Sequence, residues 1–141
     1  MILYLDTSAL VKLYVSESHS GDVRRWVREA DAVATSIVAY AETRAAFARA
    51  LRDGLSSARE HQRRVGQLNR DWAQLLRVEL SAPIARNAGE LAELHQLRGF
   101  DAIHLASALW LRDKSDEKFL LGAFDRRLCV GVEAAGLQLA V

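Results

Sequence analysis

The chain is poor in three residue types: among 141 residues it has one cysteine, one proline and only three lysines. Cys129 alone excludes an intrachain disulfide and suits a reducing interior. Pro83 stands by itself, and no Pro/Gly/Ser-rich tract, internal repeat or low-complexity stretch marks a linker. No apolar run approaches about 18 residues, and the opening MILYLD carries no basic region, so a soluble, cytoplasmic protein without membrane contact is expected. GxGxxG and GxxxxGK are both absent, which argues against a nucleotide-binding enzyme. The four histidines, His19, His61, His95 and His104, show no paired metal spacing.

What is present is an ordinary globular balance, 50% hydrophobic and 26% charged, with a net charge of +1. This length is most consistent with one domain over residues 1–141, able to bury about two-thirds of its unfolded surface. The cations are skewed towards arginine. Between Arg44 and Arg77 the arginines 44, 49, 52, 59, 63, 64, 70 and 77 face only Asp53, Glu60 and Asp71. Arginine forks suit phosphates, which admits a nucleic-acid partner, but a solvated helical face explains the same run.

Strand-like segments at 2–5, 32–36, 77–80, 118–124 and 137–141 alternate with helical patterns. Helices are predicted over Ser8–Val15 (capped by Thr7 or Ser8), Asp22–Ala30, Ile37–Leu51, Ser56–Leu76, Pro83–Leu97, Asp101–Arg112 and Asp125–Ala135. The alternation predicts an α/β fold, a three-layer α/β/α arrangement around a mainly parallel sheet of about five strands. In such folds ligands bind beyond the carboxyl ends of the strands. Trp26, Trp72 and Trp110 lie at core spacing, and Cys129 reads as a small buried hydrophobe.

Four carboxylates stand in apolar surroundings. Asp6 and Asp125 end strand-like runs, Asp101 opens the apolar stretch DAIHLASALWL, and Glu42 interrupts SIVAYAETRAAFA. Each aspartate, taken singly, is explained as a helix cap, and Glu42 as a surface acid paired with Arg44 or Arg49. Together they suggest a cleft whose mutual repulsion a cation relieves, and hard divalent ions prefer such all-oxygen sites. His104, three residues after Asp101, reads as a core or hydrogen-bonded histidine rather than a general base.

The motifs DTSAL, AE, DAIHLASAL and FDRRL, in that order from Asp6 to Leu128, resemble the PIN-domain ribonucleases, and most closely the VapC-type toxins of bacterial toxin–antitoxin pairs. The resemblance implies an acidic quartet at Asp6, Glu42, Asp101 and Asp125, with Thr7 and Ser8 as hydroxyl neighbours. It further implies one or two Mg²⁺ or Mn²⁺ ions and hydrolysis of RNA phosphodiesters. Asp6 and Asp101 are then the direct ligands; Glu42 and Asp125 act through water or orient the nucleophile. Arg44, Arg49 and Arg126 are candidates for phosphate contacts. One departure is visible: Ala123 stands where the family often has a hydroxyl residue. A small VapB-type antitoxin is implied as partner, in a homodimer or a hetero-oligomer, with the early helices around Leu10, Leu13, Tyr14 and Phe47 as possible surfaces. The competing reading is a catalytically silent RNA-binding or partner-binding module. A phosphatase with a nucleophilic aspartate is disfavoured, because Ser8 occupies the place of its second acid.

Overall fold

The computed structural model describes residues 1–141. The run Ile2–Leu5 forms strand β1, buried at all four positions. A strand apolar on both faces needs cover on both, and β1 accordingly lies in the middle of a five-stranded sheet. Its neighbours are β2 (Ala32–Ser36) and β4 (Phe119–Gly122), while β3 (Leu76–Val78) and β5 (Gln138–Leu139) form the edges. The order is β3-β2-β1-β4-β5 and every pairing is parallel, as the alternating pattern predicts.

Seven helices cover the sheet: α1 (Thr7–Val11), α2 (Ser20–Glu29), α3 (Ala39–Arg52), α4 (Ala58–Trp72), α5 (Ala82–His95), α6 (Gly99–Arg112) and α7 (Arg126–Ala134). Successive side chains of a strand point to opposite faces, so β1 feeds two cores. Tyr4 joins Ile84, Leu91, Leu105 and Leu128 on one side. Leu3 and Leu5 join Leu10, Val23 and Trp26 on the other. Gly122 leaves room for the second of these cores, because a Cβ there would stand 2.9 Å from Leu5 Cδ2 and 3.2 Å from Trp26 Cζ3.

Several elements are shorter than the sequence predicts, for a common reason. β4 stops at Gly122, the partner of Leu5 at the end of β1, and β3 stops at Val78, opposite the last residue of β2. Beyond those points the predicted strands at 77–80 and 118–124 have no ladder to join. The last strand, predicted over 137–141, keeps only Gln138 and Leu139, which pair with Leu120 and Leu121 before β4 ends. Leu76, predicted as the end of a helix, pairs with Ala34 instead. That helix is α4, opened by a reciprocal capping box between Ser57 and Glu60.

Two helix starts also differ. Of the caps the sequence offers for α1, Asp6 is the one used, and not Thr7 or Ser8, whose hydroxyls are engaged with Glu42 and Asp6. Arg98 occupies the cap position of α6, which places Asp101 inside its first turn rather than at its cap. Trp26 and Trp72 pack as expected, but Trp110 is 43% exposed with Lys114 Nζ 5.1 Å from its ring centre. No helix is long and apolar enough to cross a membrane.

Candidate active site

The site is founded on two strand ends. Leu5 and Gly122 are paired in register, and the Asp6 N–H extends the ladder by donating to the Gly122 carbonyl at 3.1 Å. Asp6 and Asp125 therefore leave the same edge of the sheet, where a parallel α/β fold presents its ligands. Each also caps a helix. Asp6 Oδ1 accepts from the Ala9 N–H at 2.8 Å, and Asp125 Oδ2 from the Leu128 N–H at 3.0 Å. Capping and site placement are thus two uses of the same residues. The end of β1 is further held by Thr35 Oγ1, which donates to the Leu5 carbonyl at 2.7 Å.

Asp101 and Glu42 approach from two helices, Asp101 in the first turn of α6 and Glu42 in that of α3. With Asp6 and Asp125 they line one cleft of about 500 Å³, together with Thr7, Ser8, His104, Arg49 and Arg98. Ser8 Oγ donates to both oxygens of Asp6, at 2.9 and 3.0 Å. Thr7 Oγ1 donates to Glu42 Oε1, and His104 Nε2 lies 3.1 Å from that same oxygen. Glu42 therefore takes its partners from Thr7 and His104, not from Arg44 or Arg49.

The four acids differ electrostatically. Asp6 is only 2% exposed, and desolvation raises its pKa against the opposing pull of His104, the Ala9 N–H and Ser8. Asp101 is raised first by desolvation and next by the charge of Asp125. Half-burial pushes Glu42 upward, but hydrogen bonds from His104 and Thr7 prevail and hold it below the usual carboxylate range. The cleft thus contains a well-anchored carboxylate beside two for which negative charge is costly.

His104 is the functional neighbour that the sequence understates. It is a buried, hydrogen-bonded histidine, as expected, but its ring reaches the cleft. The available signal is its spacing: three residues after Asp101 on a helix is the same face. Arg98 is likewise missed, although it directly precedes the GFD segment. Arg49 lines the cleft and Arg126 an adjoining groove, whereas Arg44 lies outside both. Its Nη1 donates to Tyr40 Oη at 2.9 Å, and its guanidinium sits over that ring. Ala123 is buried and has no side-chain polar atom; its carbonyl accepts a weak 3.5 Å contact from Cys129 Sγ. Cys129 is only partly buried, and desolvation, then Asp6 and Asp125, push its thiol up.

Comparison with known proteins is consistent with this geometry. The PIN domain family model matches residues 3–130. Ribonuclease VapC45 of Mycobacterium tuberculosis (strain CDC 1551 / Oshkosh) is 39% identical over 143 residues, an alignment covering 99% of this chain and 94% of that protein. Among solved structures, the Mycobacterium tuberculosis toxin VapC20, described as cleaving the sarcin–ricin loop, superposes with a TM-score of 0.66 at 21% identity, covering 96% of this chain and 95% of that one. A toxin–antitoxin complex from Klebsiella pneumoniae gives a TM-score of 0.65 at 16% identity over 87% and 86% of the respective chains.

Proposed function

This chain belongs to the PIN-domain family and, within it, groups with the VapC ribonucleases, and from that membership we propose that it is a divalent-metal-dependent endoribonuclease, the toxin of a toxin–antitoxin pair. The observation that carries the reading is the convergence of Asp6, Glu42, Asp101 and Asp125, drawn from four separate elements, on one cleft. A silent binding module has no need to gather four like charges, and keeping Asp6 ionised at 2% exposure costs stability.

The donor set fits Mg²⁺ or Mn²⁺. It is all carboxylate and hydroxyl oxygen, and the acids most penalised for charge, Asp6 and Asp101, are those a cation relieves most. No three acidic or histidine side chains are drawn close enough to close around one ion. An ion here would be held by one or two carboxylates and keep several waters, as Mg²⁺ does. Asp6 and Asp101 are the residues assigned to hold it, with Glu42 and Asp125 acting through water. Such an ion supplies a Lewis acid that lowers the pKa of a water and offsets charge developing at phosphorus.

The protein's own groups supply position. Ser8 holds both Asp6 oxygens, Thr7 and His104 hold Oε1 of Glu42, and the Oε2 oxygen remains to orient a water. Arg49 and Arg98 at the rim bind phosphates flanking the scissile one. By likeness to the toxin–antitoxin complexes, the partner is a small antitoxin. The direct test is RNA cleavage with Mg²⁺ by the wild type and by Asp6→Asn. The variant keeps the cap, because asparagine caps as well as aspartate; full activity in the folded variant would sink the assignment.

A further inference from the structure

The acidic cleft continues past Asp101 and Asp125. It opens into a trough of about 440 Å³ bounded by Gln96, Arg98, Asp101, Asp125, Arg126 and Arg127. The trough runs on into a hollow of about 410 Å³ edged by His95, Gln96, Arg126 and Arg127. Three arginines thus line a path leading directly from the carboxylates.

Their setting is not one that stability explains. Arg126 and Arg127 are the first two residues of α7, the end of a helix where the backbone dipole disfavours cations by about 0.3–1 kcal/mol. Arg98 occupies the cap position of α6 and makes no cap hydrogen bond. The arginines that do form ion pairs are others, Arg25, Arg64 and Arg112. Arg98 eases the charge of Asp101 without closing an ion pair, and Arg126 and Arg127 pair with no acid, so these exposed guanidinium groups at helix N-termini are available to an outside anion. Elsewhere the cleft is bordered by Glu17, tied to Lys12 at 3.0 Å, and by Arg49 as a single further arginine, against three along the trough.

We propose that this trough is a phosphate track for the RNA strand on one side of the scissile bond, with Arg98 nearest the cut and Arg126 and Arg127 beyond it. The proposal rests on the ribonuclease reading above and adds the direction in which substrate leaves the cleft.

The test is fluorescence anisotropy of an end-labelled single-stranded RNA of about 12 nucleotides, in EDTA so that no cleavage intervenes, over a range of KCl. Arg98→Gln is expected to weaken binding at least about threefold, and the Arg126→Gln/Arg127→Gln pair at least about tenfold. The slope of log K against log salt should fall by about 0.7 for each arginine removed. Arg86→Gln, the same charge change on the distant half of α5, should behave as wild type. Folding of each variant is checked by circular dichroism. Track variants that bind RNA with wild-type affinity and slope, or no better distinguished than Arg86→Gln, would overturn the proposal and leave the cleavage result untouched. Absence of RNA cleavage by the wild type with Mg²⁺ would sink the ribonuclease reading and leave the anisotropy result standing.

Discussion

Tyr4 Oη lies 2.8 Å from Nδ1 of His104, joining the central strand to the buried face of α6. Burial keeps the phenol protonated, and the tautomer in which it donates to Nδ1 leaves Nε2–H facing Glu42. An ionised carboxylate accepts only, so the opposite tautomer would set two acceptors against each other.

Tyr4→Phe should therefore act on stability and on activity together. A buried acceptor without its donor costs about 1–3 kcal/mol, read as a lower midpoint in chemical denaturation. Nitrogen-15 chemical shifts of His104 should report a mixed tautomer in the variant, against a single Nε2–H form in the wild type. A single tautomer in the variant would show that Tyr4 does not set the ring.

Asp6→Asn should raise stability in EDTA at neutral pH. A carboxyl whose folded-state pKa is raised stabilises the fold below its unfolded pKa and loses that contribution as pH rises through the folded value. The gain from Asn should accordingly shrink as the pH falls into the carboxylate range. Glu42 has the opposite sign: its contribution is present above its unfolded pKa and fades as pH falls through its lowered folded value. Glu42→Gln should then be least harmful in acid. Thermal melts from about pH 3 to pH 8 read both effects.

Mg²⁺ should raise the melting temperature of the wild type but not that of the Asp6→Asn/Asp101→Asn pair. A ligand that binds only the folded state stabilises it in proportion to the logarithm of its concentration. Equal shifts in both proteins would move the ion away from these carboxylates.

Gly122→Ala should destabilise by about 1–3 kcal/mol, because the added methyl meets Leu5 and Trp26 in a filled layer. Activity at permissive temperature should fall as well, since Gly122 accepts from the Asp6 N–H and lies three residues before Asp125. Wild-type stability would mean that the Trp26 ring yields at little cost.

Much of this architecture is legible in the sequence, and the reasons differ by residue. Asp6 and Asp125 announce themselves because each follows an apolar run whose end is a local event, and their shared edge follows from parallel topology. Glu42 is legible only as an anomaly among alanines. Its partner His104 is 62 positions away, and their contact depends on how α3 and α6 come to rest beside β1. The same limit applies to Arg44 and Arg98. Proximity in sequence favours Arg44, but the helix face turns it to Tyr40, while the α5–α6 corner turns Arg98 to the cleft. Strand lengths are misjudged for a related reason: residue preference extends a strand, but only a neighbour with which to pair sustains it, and β1 and β2 end first.

The placement of β1 has a consequence for synthesis. Its two neighbours in the sheet come from the early and the late parts of the chain, and Asp6 meets Asp125 only when β4 has paired alongside it. A ribosome making this protein therefore carries a chain without an assembled acidic cleft until β4 and Asp125 have emerged. For an enzyme proposed to attack RNA, that order of assembly spares the machinery that produces it.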